Sequence, residues 1–179
     1  MSFDPIAKAR SRLWAVPASS FKHVPWWALA IGTVCFFGFS PVASGTVGSV
    51  IGAILYYYIP ALQNNWILLL SSLIIFIAGT IATDVIELKT GEHDPGIVVI
   101  DEVLGQWVSL FSIWYIGDPV FIIASFFFFR FFDIMKFYPA SIYENRHGGT
   151  SVMLDDVAAG VYANICAHLV TWGIKSLVS

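Results

Sequence analysis

The sequence predicts an all-α, polytopic membrane protein with about five transmembrane helices. A short re-entrant or interfacial helical segment and an amphipathic amino terminus complete the expected architecture. Composition carries the first part of that reading. The 179-residue chain is 58% hydrophobic and 12% charged, against about 25% charged in a typical soluble domain. Its mean hydropathy is +0.77. The second observation is a succession of long apolar runs separated by short polar segments. The length suits one domain, residues 1–179.

The elements follow in chain order. Residues 1–25 carry Lys8, Arg10, Arg12 and Lys22, with Phe3, Ile6, Leu13 and Trp14 available as one apolar face. That pattern fits an interfacial helix as well as a basic tail. No cleavable signal peptide is expected, because these residues lack an apolar core. Trp26 to Phe39 is apolar but short, which suits a re-entrant or interfacial segment. Val47 to Leu62, Trp66 to Ala82, Val103 to Ile116, Pro119 to Phe137 and Val157 to Val178 are the candidate spans. A straight span needs about 20 residues. Several runs are marginal unless their polar ends reach the interface or a wet cavity. Phe126 to Phe129 reads as lipid-facing and core packing. Cys35 and Cys166 lie in apolar runs and read as buried hydrophobes.

The connections are of two kinds. Gln63 to Asn65 and Gly117-Asp118 are tight. Ser40 to Thr46, Thr83 to Gly96 and Tyr138 to Ser151 are longer and polar. If the last five runs each cross once, all three long connections share one side. Lys89, Lys136 and Arg146 lie in or beside them, so that side is expected to be cytoplasmic. The bilayer is the expected partner, and no nucleic-acid partner is expected.

Acids inside the apolar runs mark the chemistry. Asp101-Glu102, Asp133 and Asp155-Asp156 are costly at membrane depth, so they are expected to pair, bind ions or line a wet cavity. Carboxylate oxygens suit a hard cation such as magnesium. Arg130 lies one helical turn from Asp133 and, with Lys136, offers charge to a phosphate. A structural ion pair is the plainer reading of that segment alone. Ser40 to Ser49 leads into a helix whose amides favour an anion, with hydroxyls from Thr46 and Ser49. Taken alone, that stretch is better explained by a helix cap with small residues for close packing. Arg146-His147-Gly148-Gly149 precedes Asp155-Asp156 at the expected mouth of the last helix. Histidine is the side chain whose ordinary titration falls nearest neutral pH, so His147 suits a general acid or base.

Taken together these motifs resemble the phosphatidylglycerophosphatase A family of bacterial inner-membrane lipid phosphatases. The resemblance runs from about Ser40 to Ala163. It is carried by Gly45-Thr46-Val47-Gly48-Ser49, His93-Asp94 with Asp101-Glu102, Arg130 with Asp133 and Lys136, and His147-Gly148-Gly149 with Asp155-Asp156. Ser44, Ile100, Phe137 and Ser151 depart from the usual pattern without removing a candidate ligand or base. The resemblance implies magnesium-dependent hydrolysis of phosphatidylglycerol phosphate to phosphatidylglycerol and inorganic phosphate. Asp101, Glu102, Asp133, Asp155 and Asp156 are the expected metal ligands. Thr46, Arg130, Lys136 and His147 are the expected phosphate contacts. Asp101, Glu102, Asp133, His147 and Asp156 are expected to serve catalysis. No cysteine lies near the motifs, which disfavours a thiol nucleophile; the sequence leaves attack by water or by an Asp carboxylate open, with metal-bound water the favoured reading. The main rival is a small transporter or channel. A transporter commonly spreads its charges through the midplane in repeated halves, whereas these gather in a few segments with no visible repeat.

Overall fold

A computed structural model describes residues 18–135 and 148–178. Six α-helices and no strand occur among them: α1 Trp26–Gly32, α2 Ser44–Tyr58, α3 Asn65–Thr90, α4 Ile100–Ser109, α5 Pro119–Met135 and α6 Gly149–Val178. Lys136 and His147 lie outside the described residues, as does most of the basic amino terminus.

Local chemistry starts and stops these helices where it should. Asn64 Oδ1 accepts from the amides of Trp66 and Ile67 at 2.9 and 3.4 Å, capping α3. Asp118 Oδ1 does the same for Val120 and Phe121 at 2.9 and 3.2 Å, capping α5. The Asp118 carboxylate also takes a hydrogen bond from Lys175, which holds it below the usual carboxylate range.

The buried centre is α4. Eight of its ten residues are buried, and α2, α3, α5 and α6 all pack on it. Gly105 and Gly160 allow the closest approach. A Cβ at Gly105 would meet the Asp156 carbonyl oxygen at 2.7 Å, and one at Gly160 would meet Val108 Cβ at 3.0 Å. Small residues bring helices this close where packing rather than water drives association. The carbonyl end of α4 would be left unsatisfied in an apolar setting. Side chains from elsewhere answer it. Asn164 Nδ2 donates to the carbonyls of Ser109 and Phe111 at 3.0 and 2.6 Å. Ser125 Oγ donates to Ser109 at 3.2 Å, and Asn65 Nδ2 to Ser112 at 2.9 Å.

Contacts fix the directions. Gly45, Gly48 and Gly52 of α2 approach Glu102, Val99 and Gln106, so α2 runs parallel to α4. Gly160 beside Gly105 makes α6 parallel as well. Phe129 against Gly105, with Ser125 at Ser109, makes α5 antiparallel. Gly79 against Ile100, with Asn65 at Ser112, makes α3 antiparallel. Successive helices α2 to α6 therefore alternate. The long connections gather at one end and the tight turns at the other, as the run counting predicts.

Several expectations need correction. The run Val103 to Ile116 is not one helix: α4 ends at Ser109, and at about 15 Å it is too short to cross a bilayer. Thr83 to Thr90, expected in a loop, forms the last two turns of α3. Asp155-Asp156 does not open the final helix, which begins six residues earlier at Gly149. Cys35 is exposed rather than buried, because it lies in the left-handed turn Val34 to Phe36 after α1.

Two helices, α3 and α6, are long and apolar enough to cross a membrane. The bundle exterior suits lipid. Leu70, Ile74, Ile77 and Ile81 of α3, Ile123 and Phe127 of α5, and Ile165 and Leu169 of α6 are all exposed. At the end away from the acids, Tyr58, Trp66 and Trp114 stand 74, 80 and 73% exposed. Amphipathic rings of this kind collect at membrane interfaces.

Candidate active site

The acidic end of the bundle is assembled by five helix ends. Asp101 and Glu102 occupy the first turn of α4, and Asp156 lies two turns into α6. One oxygen from each of the three lies within 4.8 Å of the other two. Asp101 and Asp156 are buried, and Glu102 partly so. Asp101 Oδ1 and Glu102 Oε2 are buried with no hydrogen-bond partner among the described residues. Massed acceptors without donors are expensive unless a cation answers them. The donor set, all carboxylate oxygen, therefore fits a hard divalent ion.

The five expected ligands divide. Asp133, one turn from Arg130 on α5, binds that guanidinium at 2.6 Å. Asp155 is buried one residue before Asp156, and so points about 100° away around the helix. It sits four residues before Ala159, which packs with Phe129 of α5.

Arg130 faces the trio. Its Nη1 also donates to Ser49 Oγ at 3.3 Å, while its Nε has no partner among the described residues. Ser49 Oγ donates to the Gly45 carbonyl at 2.9 Å. Its proton is thus committed, so Ser49 holds Arg130 rather than presenting a donor to phosphate. A Cβ at Gly45 would strike Glu102 Oε1 and lie 3.2 Å from Arg130 Nη2. Glycine there lets the first turn of α2, with Thr46, reach the carboxylates and the guanidinium together. Ala43, at the cap position, makes no side-chain hydrogen bond to this helix start. Ser44 Oγ instead donates to the Gly96 carbonyl at 2.7 Å. Uncapped amides at a helix N-terminus favour an anion.

Two residues that sequence reasoning passed over sit beside this centre. Asp84 and Glu87, three apart on α3, accept hydrogen bonds from the start of α6 and from the segment before α4. Their spacing was a signal, lost because residues 83–90 read as loop.

A guanidinium edge, free helix amides and clustered carboxylates converging on one spot are the equipment of an enzyme that handles phosphate. The comparisons agree. The Phosphatidylglycerophosphatase A family matches residues 30–171, and the chain belongs to that family of phosphatases. A Bacteroides thetaiotaomicron protein, provisionally named a phosphatidylinositol-3-phosphatase, is 38% identical over 162 residues, covering 86% of this chain and 99% of its own. The Phosphatidylglycerophosphatase A of Escherichia coli K12 is 32% identical over 142 residues, 76% of this chain and 78% of its own. That of Haemophilus influenzae is 33% identical over 131 residues, 73% of this chain and 80% of its own. No solved structure matches the chain significantly.

Proposed function

We propose that this protein removes the terminal phosphate of phosphatidylglycerol phosphate, giving phosphatidylglycerol and inorganic phosphate in phospholipid synthesis. The observation that carries the reading is the convergence of Asp101, Glu102 and Asp156 with Arg130 at the uncapped start of α2. In the reaction a water oxygen bonds to phosphorus, the ester P–O bond breaks, and the departing glycerol oxygen takes a proton. Arg130 offers its Nε edge to the phosphoryl oxygens, with Nη1 anchored by Asp133 and Ser49. The amides at Thr46 add donors. Asp101, Glu102 and Asp156 hold magnesium, which supplies Lewis acidity at the phosphoryl group when bound. Lys136 and His147 lie outside the described residues; the sequence assigns them phosphate contact and proton transfer.

The proposed setting is a bacterial inner membrane, with the site facing the cytoplasm. α3 and α6 cross fully. At 15 and 17 residues, α2 and α5 reach only about 22 and 25 Å of a ~30 Å core. They traverse it with their polar ends immersed in the interface, and α4 together with the segment that follows it, sheathed by the other helices, makes a fifth passage. Exposed Lys89 marks the cytoplasmic end. Single cysteines at Lys89 and at Leu177, in a chain lacking Cys35 and Cys166, should label from opposite sides of the membrane. Labelling from one side would refute the alternating topology.

The decisive experiment is phosphate release from phosphatidylglycerol phosphate in mixed micelles, with magnesium and with a chelator. Turnover only with magnesium is expected. The name of the Bacteroides relative brings a second substrate into the same assay, phosphatidylinositol 3-phosphate. Faster release from the inositol lipid would move the assignment to that headgroup.

A further inference from the structure

Glu87 sits at a junction that the proposed chemistry does not use. Its Oε1 accepts from His93 Nδ1 and from the Asp94 amide, each at 2.9 Å. Its Oε2 accepts from the Gly148 amide at 3.2 Å. One carboxylate thereby ties together two segments sixty-one and seven residues away along the chain. Each segment leads directly into the acidic trio. Asp94 enters the turn before α4, where Asp101 and Glu102 follow. Gly148 opens α6, where Asp156 follows two turns on. Both segments carry backbone that needs holding. Asp94 adopts φ +49° without being glycine, and Gly148 adopts φ +108°. Beside it, Asp84 Oδ1 accepts from the Gly149 amide at 2.6 Å. The start of α6 has no acid in its own first turn. Carboxylates from α3 therefore complete its positive end.

We infer that Glu87 is a positioning residue that sets the spacing of Asp101 and Glu102 on α4 from Asp156 on α6. This rests on the proposed role of that trio. The geometry makes the inference sharp, because Glu87 needs acceptors on both sides. An amide has an acceptor on one side only. In Glu87→Gln, the NH2 group must face either the Asp94 amide or the Gly148 amide, donor against donor. Among the described residues Asp84 accepts through one oxygen only, so Asp84→Asn can keep that bond by presenting its carbonyl. Both changes remove one negative charge. A purely electrostatic role would weaken the two variants alike.

The test uses the full chain in nanodiscs. Hydrogen exchange is followed in peptides covering 91–99 and 148–154, and Mn2+ affinity is measured by the spin-resonance signal of the free ion. Glu87→Gln should speed exchange in both peptides and weaken Mn2+ binding roughly tenfold or more. The KM for lipid substrate should be unchanged. Asp84→Asn should stay within about threefold of wild type in Mn2+ affinity, the spread expected of one retained hydrogen bond. If Glu87→Gln does not accumulate in the membrane, Glu87→Asp keeps both acceptors but shortens their reach. It should then show the same loosening to a lesser degree. Equal behaviour of Glu87→Gln and Asp84→Asn, or wild-type exchange in the Glu87 variants, overturns the inference. A wild-type protein that neither binds Mn2+ nor releases phosphate faults the functional reading instead, and the exchange comparison still judges Glu87.

Discussion

Asp101→Asn should abolish phosphate release and at the same time raise the melting temperature of the metal-free protein. The two effects share one cause. Three carboxylate oxygens within 4.8 Å, two of them on buried residues, repel one another without a cation. Neutralising Asp101 removes that repulsion and also removes a ligand. The activity loss should be roughly a hundredfold or more, the scale of deleting one electrostatic support for a phosphoryl transition state. Relief of about 1 kcal/mol would raise the midpoint by about 3 °C in a chain of this size. Mn2+ titration of the same variant provides a readout apart from turnover, and its affinity should collapse. An Asp101→Asn protein that melts lower and still binds Mn2+ would make Asp101 structural.

Arg130→Lys should lose most activity although it keeps the charge. The ammonium can still pair with Asp133, which Arg130 meets at 2.6 Å. It cannot hold Asp133 and Ser49 while presenting a second edge to a phosphate. A loss of about tenfold to a hundredfold is expected, expressed in kcat/KM. The double variant Arg130→Met with Asp133→Leu separates catalysis from scaffold. Removing both charges avoids stranding either one, so the chain should insert in the membrane and be inactive. Substantial phosphate release from that double variant would reduce the pair to a strut.

Much of the site was legible because charge in an apolar run demands a reason. Asp101, Glu102, Asp156 and Arg130 were singled out as candidates by that logic, and the alternation of long and tight connections put them at the one end where the structure brings them together. What was misread has a common origin. Hydropathy reports exposure to lipid, whereas helix length depends on backbone geometry. Thr83, Asp84 and Glu87 are polar because they face the start of α6, so the end of α3 looked like loop. Gly149 to Ser151 looked like loop for the reciprocal reason. Ser109 and Ser112 end α4 inside protein, where Asn164 and Asn65 meet their carbonyls. The apolar residues after Ser112 then passed for a continuation of the helix. Ser49 illustrates a different gap: its side chain was seen as a donor, but only three dimensions show where its proton goes.

The sheathing of α4 bears on how the protein is made. A ten-residue segment carrying two acids is a poor substrate for insertion as it leaves the ribosome. Its carbonyl end is answered in part by Asn164, fifty-five residues further along the chain. Its acids meet their third member on the same late helix. Until α6 emerges, α4 lacks part of its wall and part of its cap, and the carboxylate trio is completed only by the final helix. A chain truncated before α6 would thus lack the trio's third carboxylate and leave α4 open along the side that α6 covers.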